Sequence, residues 1–158
     1  MSKLNPVGGF RMTPKPPSNS TQSVYAVGTA YQLTNTQAKL DFGTTDPVLV
    51  LTSPGTYLLL ARVRTDYNAA TFAAVRTVTF KLRRTNNTAA DLLGAATSLL
   101  TSIITALTYT AGTLLIPPVI YTTSNSNDSI EIFGAVDTVP TAGTIDATEA
   151  EIIAIRLS

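Results

Sequence analysis

Short runs of β-forming residues recur along this chain, and Gly, Pro and Asn turn signals stand between them. That spacing constrains the fold more than any other feature. A strand needs only period-two alternation over a few residues, whereas an amphipathic helix needs the 3.6-residue period over ten or more. In one run Ala38, Leu40 and Phe42 share a face, and Lys39 and Asp41 take the other. In residues 56–64, Tyr57, Leu59, Ala61 and Val63 point one way. Leu58, Leu60, Arg62 and Arg64 point the other, so that second face is apolar at one end and cationic at the other. In residues 76–85, Val78, Phe80 and Leu82 oppose Thr77, Thr79, Lys81 and Arg83. Strand–helix alternation, the mark of a parallel α/β fold, is absent. The chain reads as all-β, an antiparallel β-sandwich.

Turns and breaks order the expected strands. Residues 24–33 are the first. Asp46-Pro47 precedes a strand at 48–52, and Ser53-Pro54-Gly55 leads into the strand at 56–64. Pro followed by Gly predicts a type II turn, with Gly55 at the position of positive φ. Residues 66–75, with many alanines, are expected to loop. Residues 89–96 have helical propensity, so a short helical or irregular stretch is expected there, followed by a strand over 98–109. Pro117-Pro118 cannot sit in a central ladder and predicts an edge or a strand break. Residues 124–128 read as a polar turn, 129–136 as a strand, 140–143 as a loop and 148–157 as the closing strand. Ile152, Ile153, Ala154 and Ile155 are apolar on both faces, which predicts a central strand covered on both sides. Only 13% of residues are charged, against about 25% in an average soluble protein. A monomeric sandwich would then leave one sheet face apolar, so a trimer is expected.

Residues 1–23 differ from the rest. Pro6, Pro14, Pro16 and Pro17 preclude a helix or a central strand there. Lys3, Arg11 and Lys15 are the only charges of this stretch. It reads as an extended, proline-rich arm that orders on a partner surface, with Phe10 and Met12 as apolar anchors. A frayed terminus is the other reading. Residues 24–158 are then one β-sandwich domain.

Composition excludes several function classes. The chain has no cysteine and no histidine, which removes disulfides, thiol catalysis, Cys/His zinc sites and His-based triads. A formal charge of +1 argues against nucleic acid as a partner. No stretch approaches the roughly 18 apolar residues of a transmembrane helix, and residues 1–10 lack a signal-peptide core. No nucleophile elbow or phosphate loop is present, and Lys39 and Lys81 read as solvated surface. No enzyme activity, cofactor, metal ion or membrane partner is expected. Acidic residues gather in the last third, from Asp128 to Glu151, without the spacing of a calcium loop. Glu149 and Glu151 share a strand face, and Arg62 and Arg64 are the expected cations opposite them.

The segment Thr52-Ser53-Pro54-Gly55-Thr56-Tyr57-Leu58-Leu59-Leu60-Ala61-Arg62-Val63 resembles the strand entry of tumour-necrosis-factor-like jelly rolls. Complement globular heads and many viral attachment or head-decoration proteins share that fold. Residues 78–84 resemble its next long strand, 129–134 its late strand and 148–157 its closing strand. The resemblance implies a homotrimeric jelly roll. It makes Tyr57, Leu59, Phe133, Ile153 and Ile155 the candidate trimer or core positions. Lacking the cysteines, signal peptide and collagen-like stalk of cellular members, the chain falls on the viral branch. The implied role is a virion structural protein of a bacteriophage: a capsid decoration or head-fibre trimer on the capsid surface, assembled in the host cytoplasm. The major capsid protein is then its partner, besides itself. The alternative is the receptor- or glycan-binding tip of a phage fibre. Its host surface glycan would meet exposed loops carrying Tyr67, Asn68, Asn86, Asn125 or Asn127.

Overall fold

The alternation turns into two packed sheets in the computed structural model, which describes residues 20–72, 76–85, 91–100 and 107–158. Among the described residues the strands are β1 (Thr21–Gln32), β2 (Ala38–Lys39), β3 (Val48–Leu51), β4 (Gly55–Thr71), β5 (Arg76–Arg84), β6 (Asp91–Leu100), β7 (Leu107–Thr123), β8 (Asp128–Val136) and β9 (Ala142–Arg156). One sheet has the order β1-β9-β4-β7, and the other β2-β8-β5-β6. β3 also pairs with β8, lying end to end with β2 along one flank of it. Every pairing is antiparallel. The chain changes sheet at each connection except β2–β3 and β5–β6, which is jelly-roll connectivity.

The inward faces are the ones the alternation marks. Tyr57, Leu59, Ala61 and Val63 of β4 are buried, as are Ile152 and Ala154 of β9. Val78, Phe80 and Leu82 of β5 with Ile130 and Ile132 of β8 close the core from the second sheet. Leu40 and Phe42 are fully buried beside them. Each large side chain withdrawn from water in this way contributes roughly 1.5–3 kcal/mol.

Several expectations need correction. β1 begins at Thr21, where Thr21, Gln22 and Ser23 pair with Ile155, Ala154 and Ile153. The sheet thus starts three residues before the arm boundary drawn after residue 23; the arm residues 1–19 lie outside the described residues. β4 does not loop at 66–71 but continues to Thr71, and residues 73–75 lie outside the described residues. Ala69 and Gly143 both take positive φ, at 48° and 73°, and absorb the irregularity between Asn68 and Thr71 so that β9 keeps its pairing. β6 is a strand despite the helical propensity of its alanines. Pairing of Phe80 with Ala96 and of Thr79 with Thr97 outweighs an intrinsic preference of tenths of a kcal/mol. Of the strand expected over 98–109, residues 98–100 belong to β6 and 107–109 to β7, and residues 101–106 lie outside the described residues. Pro117-Pro118 lies in β7, the last strand of its sheet, as an edge position requires.

The turn at Pro54-Gly55 is not type II. Gly55 has a φ of 156°, far from the roughly +80° of that turn. Glycine is needed there for a different reason, because a Cβ would stand 2.5 Å from the Ser158 carbonyl oxygen. That oxygen accepts a bond from the Thr56 N–H (3.2 Å), while an Arg156 Nη2 donates to the Pro54 carbonyl (2.9 Å). Gly55→Val is expected to cost about 1–3 kcal/mol by overpacking this latch. Thermal melts beside an exposed-loop control, Thr138→Val, check it; equal midpoints would show that the latch yields freely.

The β7–β8 crossing between sheets carries a buried carboxylate. Asp128, read above as part of a solvated turn, is 2% exposed. It accepts bonds from the Tyr121 hydroxyl (2.7 Å) and the Thr123 hydroxyl, and Arg84 in turn reaches Tyr121 (3.3 Å). Burial pushes the carboxyl up, but the Thr123 and Tyr121 bonds and the Arg84 charge together outweigh it and hold the group below its ordinary 3.8. The folded chain therefore binds this proton more weakly than the unfolded chain. Its stabilisation is present above about pH 4–5 and is lost as pH falls through the lowered value. Melting midpoints followed from pH 7 to pH 3 should show a drop that is shallower in Asp128→Asn. Superimposable acid limbs would refute the assignment.

Candidate functional site

The outer face of the β1-β9-β4-β7 sheet is where unusual surface chemistry concentrates. Register aligns its side chains in rows. Leu58 stands opposite Ile155 of β9 and Ile120 of β7, and Leu60 opposite Ile153. The next row joins Tyr25, Glu151, Arg62 and Leu115 across all four strands. The row after it joins Val27, Glu149, Arg64 and Thr113. The face is apolar toward one end and ionic toward the other, as the parity of residues 56–64 predicts.

The ionic half neutralises itself. Arg62 Nε donates to Glu151 at 2.6 Å, and Arg64 Nη1 to Glu149 at 2.7 Å. The Tyr25 hydroxyl donates to the second oxygen of Glu149 at 2.8 Å. That bond raises the Tyr25 hydroxyl above its ordinary range and, with Arg64 adding to it, holds the Glu149 carboxyl below its own. The bond to Glu151 likewise raises Arg62. The cations expected opposite Glu149 and Glu151 are therefore the ones found, and the two pairs leave no net charge.

Exposed apolar side chains stand at the ends of these rows. Ile120, 66% exposed, closes the Leu58 row on β7. Leu115 (71% exposed) and Tyr25 stand at the two ends of the row of Arg62 and Glu151, and Val27 at the end of the next, Tyr25 and Val27 being about half exposed. Between the halves lies a groove of about 170 Å³ lined by Leu60, Ala61, Arg62, Leu115, Glu151 and Ile153. Singly exposed apolar side chains are ordinary, but four on one sheet face make that face a candidate contact surface.

The five candidate trimer or core positions separate. Tyr57 and Leu59 are buried in the core, the Tyr57 hydroxyl bonded to the Ser53 carbonyl at 2.7 Å. Ile153 and Ile155 lie on the outer face just described, half-buried. Phe133 lies on the outer face of the other sheet, with the Arg83 guanidinium 4.7 Å above its ring. Lys39, read as free surface, is paired with Asp46 at 2.8 Å and Glu131 at 3.7 Å. Lys3, Phe10, Arg11, Met12 and Lys15 lie outside the described residues, as does Asn86. Of the loop residues considered for a glycan, Tyr67 is buried within β4, whereas Asn68, Asn125 and Asn127 are exposed. Leu115 and Ile120 were not singled out by sequence, because the double proline between them breaks the alternation that would assign their side.

No cluster of three His, Cys, Asp or Glu able to hold a metal occurs among the described residues. No helix among them is long and apolar enough to cross a membrane.

No family model matches this sequence, and no curated protein matches it. Solved structures do match in fold. A chain of infectious bursal disease virus, Gx strain, is 9% identical with a TM-score of 0.51, over 100% of this chain and 37% of that one. This chain thus spans little more than a third of that viral chain. Eiger TNF from S. frugiperda is 10% identical with a TM-score of 0.45, over 87% of this chain and 86% of that one. FLHE is 13% identical with a TM-score of 0.36, over 87% of this chain and 96% of that one.

Proposed function

We propose that this protein is a structural component of a virus particle that self-associates, as a trimer, through the outer face of the β1-β9-β4-β7 sheet. The observation that carries the reading is a set of exposed apolar side chains on a face whose ion pairs are already closed within the chain. A face of that kind brings no unpaired charge into an interface, so burying it avoids the heaviest desolvation cost. It also does not repel an identical face. The likeness in fold of this chain to 37% of an infectious bursal disease virus chain supports placing it in a virion. Within that reading the trimer is a bacteriophage capsid decoration or head-fibre protein, bound to the major capsid protein on the capsid surface and assembled in the host cytoplasm. Its role is structural and not catalytic.

Two measurements test this. Sedimentation of the full chain at micromolar concentration should give three times the 16.7 kDa chain mass; a species of the single-chain mass would sink the self-association. Incubation with capsids lacking this protein, and separately with host cells, should show capsid binding. Binding to cells alone would favour the fibre-tip reading, with Asn125 and Asn127 in the exposed turn as its first residues to vary.

A further inference from the structure

The two edge strands of the four-stranded sheet are treated differently. β1 carries no charged residue, but the loop beside it covers its edge. The Thr29 N–H donates to the Phe42 carbonyl (3.0 Å), and Thr45 Oγ1 donates to the Val27 carbonyl (2.6 Å). β7 closes the other side of the sheet, is 17 residues long and also has no charged residue; β6 of the other sheet approaches it, while Pro117 and Pro118 themselves are exposed. A long uncharged edge is a template for strand addition, and an edge lysine is the usual safeguard. What β7 has in its place is Pro117-Pro118. Leu59 pairs with Val119 and Ala61 with Ile116, so the two prolines together face Leu60 as a bulge.

We propose that the Pro117-Pro118 bulge bars strand addition along the β7 edge and confines self-association to the sheet face, which rests on the reading of that face as the contact between copies. Neither proline has an N–H to offer a ladder. The extra residue also offsets the hydrogen-bonding row on its two sides, so a straight incoming strand that matches one half mismatches the other. Leu115 and Ile120 flank the bulge and are highly exposed, so a regular β7 would present a continuous apolar strand to a second copy of this chain. With a net charge of +1, long-range repulsion would not keep two such edges apart.

The test is the double variant Pro117→Thr/Pro118→Thr, which restores both N–H groups with a strand-forming residue. Its circular dichroism should match the wild type, while light scattering should show assemblies that grow with concentration to at least tenfold the wild-type mass. A folded double variant with the wild-type mass at every concentration would overturn the proposal. Should the double variant not fold, Pro118→Thr alone decides, growth supporting the proposal and its absence overturning it. Adding Ile153→Lys separates the two readings. Growth by edge pairing should survive that charge on the face, whereas growth abolished by it would place the new contacts on the face and refute an edge mechanism. A wild type that sediments as a single chain would remove the face contact alone.

Discussion

Gly143→Val is expected to lower the melting midpoint by roughly 6–12 °C. Gly143 has a φ of 73° and opens β9 against the bulged end of β4. A Cβ there would stand 2.3 Å from the Asn68 carbonyl oxygen and 2.4 Å from both the carbonyl carbon and the oxygen of Ala69. These are backbone atoms, so no side-chain rotation relieves the clash. A β-branched residue held at positive φ adds strain of about 1–3 kcal/mol, and overpacking a further 1–3. A total near 3 kcal/mol corresponds to that shift for a chain of about 150 residues. Calorimetry beside Thr138→Val measures it. A midpoint within a degree or two of the control would mean that β4 and β9 do not approach as described.

Ile153→Lys should act on assembly and leave the fold alone. Ile153 borders the outer groove and pairs with Leu60, while its neighbours Ile152 and Ala154 hold the core side of β9. On a free sheet face a lysine reaches water at little cost. Between two copies it would be a buried charge without a partner, since Glu149 and Glu151 are already held by Arg64 and Arg62. Such a charge costs about 3–5 kcal/mol, which corresponds to weakening the association at least about 100-fold. The variant should keep its β-type circular dichroism and sediment as single chains at concentrations where the wild type does not. An unchanged mass would move the contact to another surface; Phe133→Lys, on the opposite sheet, is the control expected to leave the mass unchanged.

Where the alternation runs unbroken, residue parity carries the site as well as the core. Tyr57, Leu59, Ala61 and Val63 could be placed on one face together. Arg62 and Arg64 could be set opposite Glu149 and Glu151, because a strand sends successive side chains to opposite faces. Parity stops being legible at irregularities. Leu115 and Ile120 could not be assigned to a face across two prolines, and the strand at 66–71 was read as loop from its alanines, where the structure has a bulge at Asn68 and Ala69. β6 was misread because its alanines favour a helix locally, and only the β5 partner reverses that preference.

The sequence by itself determined the all-β class, the division of β4 into two faces and the ionic pairing on one of them, since each follows from short-range periodicity. Tertiary structure alone decided which apolar positions share a surface. Tyr57 and Ile153 look alike in sequence, yet one fills the core and the other faces solvent, because strand parity fixes relative sides and only the second sheet says which side is inside. It also decided the state of Asp128, whose turn-like sequence gave no sign of burial. The partners that make burial tolerable come from β5 and β7, and a single chain segment cannot announce a hydrogen bond that only folding brings within reach.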